Sequence, residues 1–192
     1  MRLSERFQRA LVYATRLHQD QRRKGGGIPY IAHLLAVAAL VIEHGGDEDE
    51  AIAALLHDAI EDQGAVREEI AAEFGARVAA IVDGCTDTDQ TPKPPWRPRK
   101  EAYLAEIPNA TASVRLVIAA DKLHNARSVL SDYRQIGEAL WSRFSGGKEG
   151  TLWYYRSVVE VLQRAEAGPM AEELARVVGE IERIAAPPKA PE

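Results

Sequence analysis

The chain has 192 residues, 46% hydrophobic and 28% charged, which is the make-up of one folded domain and excludes an intrinsically disordered chain. Its 24 basic and 29 acidic residues leave a net charge of −5, which disfavours non-specific binding to nucleic acid or anionic membrane, although a local basic cluster can still grip a small anion. One cysteine, Cys85, cannot form an internal disulfide and cannot build a thiolate metal cage alone.

The segment from Met1 to Arg6 lacks the apolar run and small-residue cleavage site of a secretory signal. Leu3, Phe7, Ala10, Leu11, Ala14 and Leu17 recur at helical spacing and predict a first helix, which Gly25-Gly26-Gly27-Ile28-Pro29 interrupts. A second helix is predicted from Ile31 to Glu43. Its apolar stretch, Ile31 to Ile42, is broken by His33 and too short to span a bilayer, so a soluble, cytoplasmic protein without a membrane partner is expected. After Gly45-Gly46, Asp47 is a candidate N-cap for a third helix, Glu48 to about Asp62. Shorter helices follow at Ala65 to Glu73 and Gly75 to Asp83. Thr86 to Arg99 holds four prolines and no periodicity, which predicts a long loop. Further helices are predicted at Lys100 to Glu106, Ala112 to Leu130, Arg134 to Phe144, Gly150 to Ala165 and Pro169 to Ile184. With neither strand nor internal repeat in the pattern, the expectation is an all-α single domain over residues 1–186, with a disordered tail at 187–192.

Several polar groups sit inside apolar helical runs. His57-Asp58 closes Ala51-Ile52-Ala53-Ala54-Leu55-Leu56, where burying an unpaired carboxylate would be costly. The pair is therefore either a set of metal ligands or a helix-terminal histidine beside an exposed aspartate. His33 lies on the preceding helix; the short Gly-Gly turn lets the two helices pack antiparallel, which brings the start of one beside the end of the other. Asp121 closes a third apolar run, and Asn125 follows one turn later on the same face, where its amide can bind substrate; the alternative is a local Asp-Lys or Asp-Asn surface contact. Two histidines and two aspartates without a thiolate form a nitrogen and oxygen set suited to manganese, iron or zinc, with manganese the best match to a carboxylate-rich site. Glu61 and Asp62 come four residues after His57 and Asp58, one turn away, where carboxylates can act as general acid and base. Two acids at a helix C-terminus oppose the macrodipole, which also points to a role beyond helix stability.

Taken in order, these segments resemble the HD-domain metal phosphohydrolases, and within them the hydrolase domain of RelA/SpoT homologues, especially the stand-alone small alarmone hydrolases. The matching text is His18-Gln19-Asp20-Gln21-Arg22-Arg23-Lys24, Gly27-Ile28-Pro29-Tyr30-Ile31-Ala32-His33, Ala53 to Asp62, and Ala120 to Arg127, within residues 10 to 165. The resemblance implies an HD-domain helical bundle in which His33, His57, Asp58 and Asp121 hold the metal, usually Mn2+. It further implies that Glu61 and Asp62 serve the attacking water and the leaving group, and that Arg23, Lys24, Asn125 and Tyr154 contact the nucleotide. The implied reaction removes the 3′-pyrophosphate of guanosine tetra- or pentaphosphate, with no synthetase activity. The alternatives are another nucleotide or a phosphorylated dinucleotide as substrate, or a nucleotide-sensing module without catalysis.

The residues bear on this independently. Arg23 and Lys24 precede a glycine run that lets backbone approach an anion, with arginine as a fork and lysine as a point charge; the alternative is a solvated basic helix end. Lys93, Arg97, Arg99 and Lys100 form a second basic cluster, either phosphate-attracting or solvated. Trp153-Tyr154-Tyr155 offers a stacking platform or an aromatic core stripe, and His18, His44 and His124 receive structural readings. Two departures from the family pattern stand out: Leu34 where a proline often follows the ligand histidine, and Gly84-Cys85-Thr86-Asp87 before a Pro/Trp loop bordering the expected pocket.

Overall fold

Single side chains set where this chain enters its helices. The computed structural model describes residues 2–186. Ser4 opens α1 (Glu5–Leu17) by accepting the Arg6 N–H, and α1 turns Ala10 and Ala14 inward. α2 (Ile31–Glu43) is apolar almost all round and is correspondingly sunk in the core. Asp47 and Glu50 then form a reciprocal capping box that starts α3 (Glu48–Leu56), whose last six residues are all buried. α4 (Ala59–Gln63), α5 (Arg67–Phe74) and α6 (Ala76–Cys85) follow, then α7 (Trp96–Glu106), α8 (Ala112–Ile136), α9 (Gly147–Arg164) and α10 (Pro169–Ala185). Thr111 caps α8 through the Val114 N–H.

α8 is the longest helix at 25 residues and packs against α2, α3, α6 and α10. Leu34, Val37 and Val41 of α2, Ile52, Leu55 and Leu56 of α3, and Val117 and Leu123 of α8 are fully buried between them. The rings of His33, at the start of α2, and His57, at the end of α3, are 5.2 Å apart, so the two helices run antiparallel as predicted. Asp121, midway along α8, faces the same point.

The bundle is all-α: among the described residues there is no strand, only an isolated bridge between Arg22 and Pro29. That bridge belongs to a narrow loop in which Arg23 N–H donates to Ile28 O at 2.9 Å and Tyr30 N–H to Gln21 O at 3.0 Å. Gly25 and Gly27 supply its left-handed turns at φ 81° and 64°. No helix among the described residues is long and apolar enough to cross a membrane. The tail expected to be disordered, 187–192, lies outside the described residues.

Three predicted boundaries are corrected. The helix expected from Glu48 to Asp62 breaks at His57-Asp58: Asp58 leaves helical geometry at φ −100°, ψ 2°, and the His57 ring binds the Ala54 carbonyl. In an unbroken helix these neighbours would diverge by about 100°; the break lets both aim at one point. The proline-rich loop ends at Pro95, not Arg99, because Pro98 falls in the first turn of α7, where a missing N–H costs nothing. The helix expected at Arg134 to Phe144 does not form: α8 carries on to Ile136, Gly137 stops it at φ 57°, and Gly137–Arg143 is a 3₁₀ segment that buries Leu140 and Trp141.

At Gly84, α6 approaches α8 closely. A Cβ there would stand 2.7 Å from Val114 Cγ2, on a β-branched side chain with little rotamer freedom. Gly84→Ala is therefore expected to destabilise by about 1–3 kcal/mol despite alanine's better helix propensity. In a Val114→Ala background the same change is expected to be neutral or stabilising, as measured by denaturant unfolding.

Candidate metal centre and its cleft

The break after α3, the first turn of α2 and the middle of α8 bring four side chains to one point. His33 Nε2 lies 3.2 Å from Asp121 Oδ1 and 3.6 Å from Asp58 Oδ2. His57 Nε2 lies 3.0 Å from Asp58 Oδ2 and 3.6 Å from Asp121 Oδ1. These separations match donor atoms sharing one cation at about 2 Å each. His33, His57 and Asp58 are the one group of histidine, cysteine or acidic side chains among the described residues whose donor atoms all fall within 4.8 Å of one another. Both Nε2 atoms are buried and have no hydrogen-bond partner. Buried polar nitrogens without partners are rare, and two that face two carboxylates fit a divalent cation.

The ring nitrogens on the far side hold these imidazoles in place. His57 Nδ1 donates to Ala54 O at 2.8 Å, which turns Nε2 toward the two carboxylates. His33 Nδ1 meets His124 Nδ1 at 2.8 Å, and only one of the two can carry the proton. Burial, with the charges of His33 and Arg23, pulls His124 down to about 4, so it is neutral and able to accept. A cation on the far side of His33 requires that His33 be the donor. His124 thus supports a candidate ligand rather than only its own helix, while His44 does bind within its own helix, at Leu40 O.

Electrostatics agree. Burial alone would raise Asp58 and Asp121, but His57 and His33 beside Asp58, and Lys122 with both histidines beside Asp121, hold the two carboxyls well below the usual carboxylate range. Burial pulls His57 down, yet the two aspartates outweigh it and hold the imidazole well above its ordinary value. The pocket therefore carries two ionised carboxylates and a strong demand for positive charge. Tyr30 is raised, by burial first and then by Asp58, so its hydroxyl stays protonated and donates to Asp58 Oδ2 at 2.6 Å. Cys85, its thiol pushed up chiefly by burial, is no competing ligand.

Tyr30, Asp58 and Asp121 line a cleft of about 850 Å³. There Arg23 Nη2 donates to Asn125 Oδ1 at 2.8 Å, and Asn125 Nδ2 donates to Asp121 Oδ1, so two predicted substrate contacts form one chain with a candidate ligand. Lys24, Lys93, Arg99, Lys100 and Lys122 line the same cleft. Tyr154 is buried beside Lys100 and Lys122, with its hydroxyl unpartnered. Glu61 and Asp62 also line the cleft. Lys93 Nζ lies 2.9 Å from Glu61 Oε1 and 3.4 Å from Asp62 Oδ1, and Arg99 Nη1 is 3.4 Å from Glu61.

Some expected members fall elsewhere. Arg97 leaves the basic cluster to cover the Trp153 ring at 3.3 Å and to pair with Glu101 at 2.7 Å. Trp153 does not line the cleft, whereas Tyr154, Tyr155 and Trp96 do. Tyr30, His124, Lys122 and Gln21 are site residues that the sequence reading left without a role there. Tyr30 and Gln21 lay inside motifs already quoted, but their partners come from distant helices and leave no trace in local spacing.

The sequence model of the HD domain matches residues 10–152, and the chain belongs to the HD-domain family. Within it, the chain is 38% identical over 123 residues to human guanosine-3′,5′-bis(diphosphate) 3′-pyrophosphohydrolase MESH1, an alignment covering 62% of this chain and 67% of that protein. It is 40% identical over 118 residues to the guanosine-3′,5′-bis(diphosphate) 3′-pyrophosphohydrolase of Haemophilus influenzae, covering 58% of this chain and 17% of that much longer protein. The structure superposes with a TM-score of 0.78 on a metazoan ortholog of SpoT that hydrolyses ppGpp and plays a role in starvation responses; identity is 26%, and 94% of this chain and 98% of that one are covered.

Tyr30→Phe deletes the donor to Asp58 while keeping the ring. It is expected to weaken divalent-cation affinity by about 10–100-fold without loss of fold, as measured by metal titration with melting temperature as the control.

Proposed function

We propose that the protein is a divalent-metal phosphohydrolase that removes the 3′-pyrophosphate of guanosine 3′,5′-bis(diphosphate) and its pentaphosphate analogue. The observation that carries this reading is the meeting of two buried imidazole nitrogens with two ionised carboxylates that line a cleft rich in cations. The named activity of the relatives supports the substrate. His33, His57, Asp58 and Asp121 are the ligands, and Mn2+ is the proposed ion because the set holds two hard carboxylate oxygens, two imidazoles and no thiolate. When bound, such a cation supplies Lewis acidity at the phosphoryl group and makes water nucleophilic near neutral pH.

The chain's own residues do the rest. Arg23, Lys24, Lys93, Arg99, Lys100 and Lys122, which line the cleft, bind phosphate oxygens and offset the charge that builds up during hydrolysis. Asn125, held by Arg23, orients the substrate beside Asp121, and Tyr154 offers its free hydroxyl from the wall. Glu61 and Asp62 take the proton from the attacking water and return one to the departing O3′. Water adds to phosphorus, the O3′–P bond breaks, and the products are pyrophosphate and the guanosine 5′-phosphate species. Lys93 and Arg99 hold Glu61 in position until phosphate oxygens draw these cations away.

Asp58→Ala is expected to lose both metal loading and turnover. Glu61→Gln is expected to keep the metal and lower kcat by about 10²–10⁴-fold; wild-type turnover by Glu61→Gln would remove the proton-transfer role. The substrate is tested by incubating manganese-loaded protein with the alarmone, a deoxynucleoside triphosphate and a phosphorylated dinucleotide, with products separated by chromatography. Pyrophosphate released only from the alarmone is the expected result. Cleavage of the other nucleotides with the alarmone intact would transfer the site to another substrate.

A further inference from the structure

Gln21 stands between a buried histidine and one of the two carboxylates that border the metal centre, and nothing in the reaction outlined above uses it. Its side-chain Nε2 donates to Asp62 Oδ2 at 2.8 Å. Its Oε1 accepts from Gln63 Nε2 at 2.8 Å and also meets His18 Nδ1. The backbone around it is fixed: Gln21 N–H donates to His18 O at 3.1 Å, and Gln21 O accepts the Tyr30 N–H at 3.0 Å. His18 is 2% exposed, and its ring lies stacked on Tyr30 at 5.4 Å and 18°.

The chemistry of the donors fixes every proton in this chain. An ionised carboxylate only accepts, so the amide must turn its NH2 toward Asp62 and its oxygen toward His18. A flipped amide would set oxygen against carboxylate and NH2 against the Gln63 NH2. The amide oxygen cannot donate, so His18 must carry its proton on Nδ1. The other ring nitrogen, Nε2, is buried without a partner. His18, by donating to Oε1, then helps hold the amide with its NH2 on Asp62. The two Asp62 oxygens differ as a result: Oδ2 is tied to this amide, and Oδ1 faces Lys93, whose side chain is 42% exposed.

We infer that Gln21, held by His18, is a positioning residue that fixes Asp62 through one oxygen and leaves the other, on the Lys93 side, to exchange a proton. The inference rests on the proposed role of Asp62 in proton transfer. A neutral amide suits the task because it orients the carboxylate without giving it a competing charge. Tyr30 ties the same histidine to the metal centre: the ring that stacks on His18 donates to Asp58, so one buried imidazole braces an acid of each kind.

The test is kinetic, on the full chain loaded with manganese, with pyrophosphate release from the alarmone as the assay. Gln21→Met keeps the length of the side chain and removes both hydrogen-bonding ends. It is expected to lower kcat by about 10-fold or more while leaving KM, manganese affinity and melting temperature close to wild type. His18→Phe should show the same loss, and His18→Asn should recover most of it, because the asparagine Nδ2 stands where the histidine Nδ1 stood. In an Asp62→Asn background, Gln21→Met should change kcat by less than about two-fold, since the two residues act as one unit.

Wild-type kcat for Gln21→Met, an equal loss in both backgrounds, or a change confined to KM would overturn the inference and leave the role of Asp62 standing. Wild-type kcat for Asp62→Asn would remove the role of Asp62, and the inference with it. The Asp62→Asn arm thus separates the two failures.

Discussion

Two ionised carboxylates, Asp58 and Asp121, are held where water barely reaches, against two imidazole nitrogens that have no other partner. Withdrawing a carboxylate from water costs several kcal/mol unless charge or hydrogen bonds replace the lost hydration. Here the replacements come from every direction: Tyr30 and the histidines at Asp58, Lys122 and Asn125 at Asp121. Those partners come from three parts of the chain: the start of α2, the end of α3 and α8. The antiparallel pairing of α2 with α3, the break before α4 and the long run of α8 across both are the conditions under which the four donor side chains can meet.

The cleft above this point applies the same logic on a larger scale. The whole chain is acidic, yet the walls collect Arg23 and Lys24 from one loop, Lys93 from another, and Arg99 and Lys100 from α7. Cations concentrated in a concave, partly desolvated space focus potential on whatever enters it, so a net negative protein can still attract a polyphosphate. Buried carboxylates keep those cations in place: Asp87 pairs with Arg99 at 2.5 Å and also with Lys100. The Gly84-Cys85-Thr86-Asp87 departure from the family pattern therefore has a physical content, since Asp87 anchors the basic wall.

Much of this was legible before any coordinates. Apolar runs ending in His57-Asp58 and Asp121 announced polar groups that had to be compensated, and a two-glycine turn between His33 and His57 fixed which helix ends would meet. The ordered motifs carried the family and the helical bundle. What spacing could not convey was local geometry imposed by distant partners. The break at His57-Asp58 occurs in a stretch whose propensities favour an unbroken helix. Pro98 looked like loop when counted by composition, but it is harmless in a first turn. α8 outran its predicted end because its last turns have a partner in α10. His124 and Gln21 gained their roles from contacts 91 and 41 residues away, to His33 and Asp62, which no local pattern records.

The central claim is that His33, His57, Asp58 and Asp121 close around one divalent cation. An anomalous difference map from crystals grown with manganese tests it most directly. The account predicts a single strong peak about 2 Å from both Nε2 atoms and from an oxygen of each aspartate. A map from well-ordered crystals with no peak among these four side chains, or with the side chains turned away from a peak elsewhere in the cleft, would contradict it.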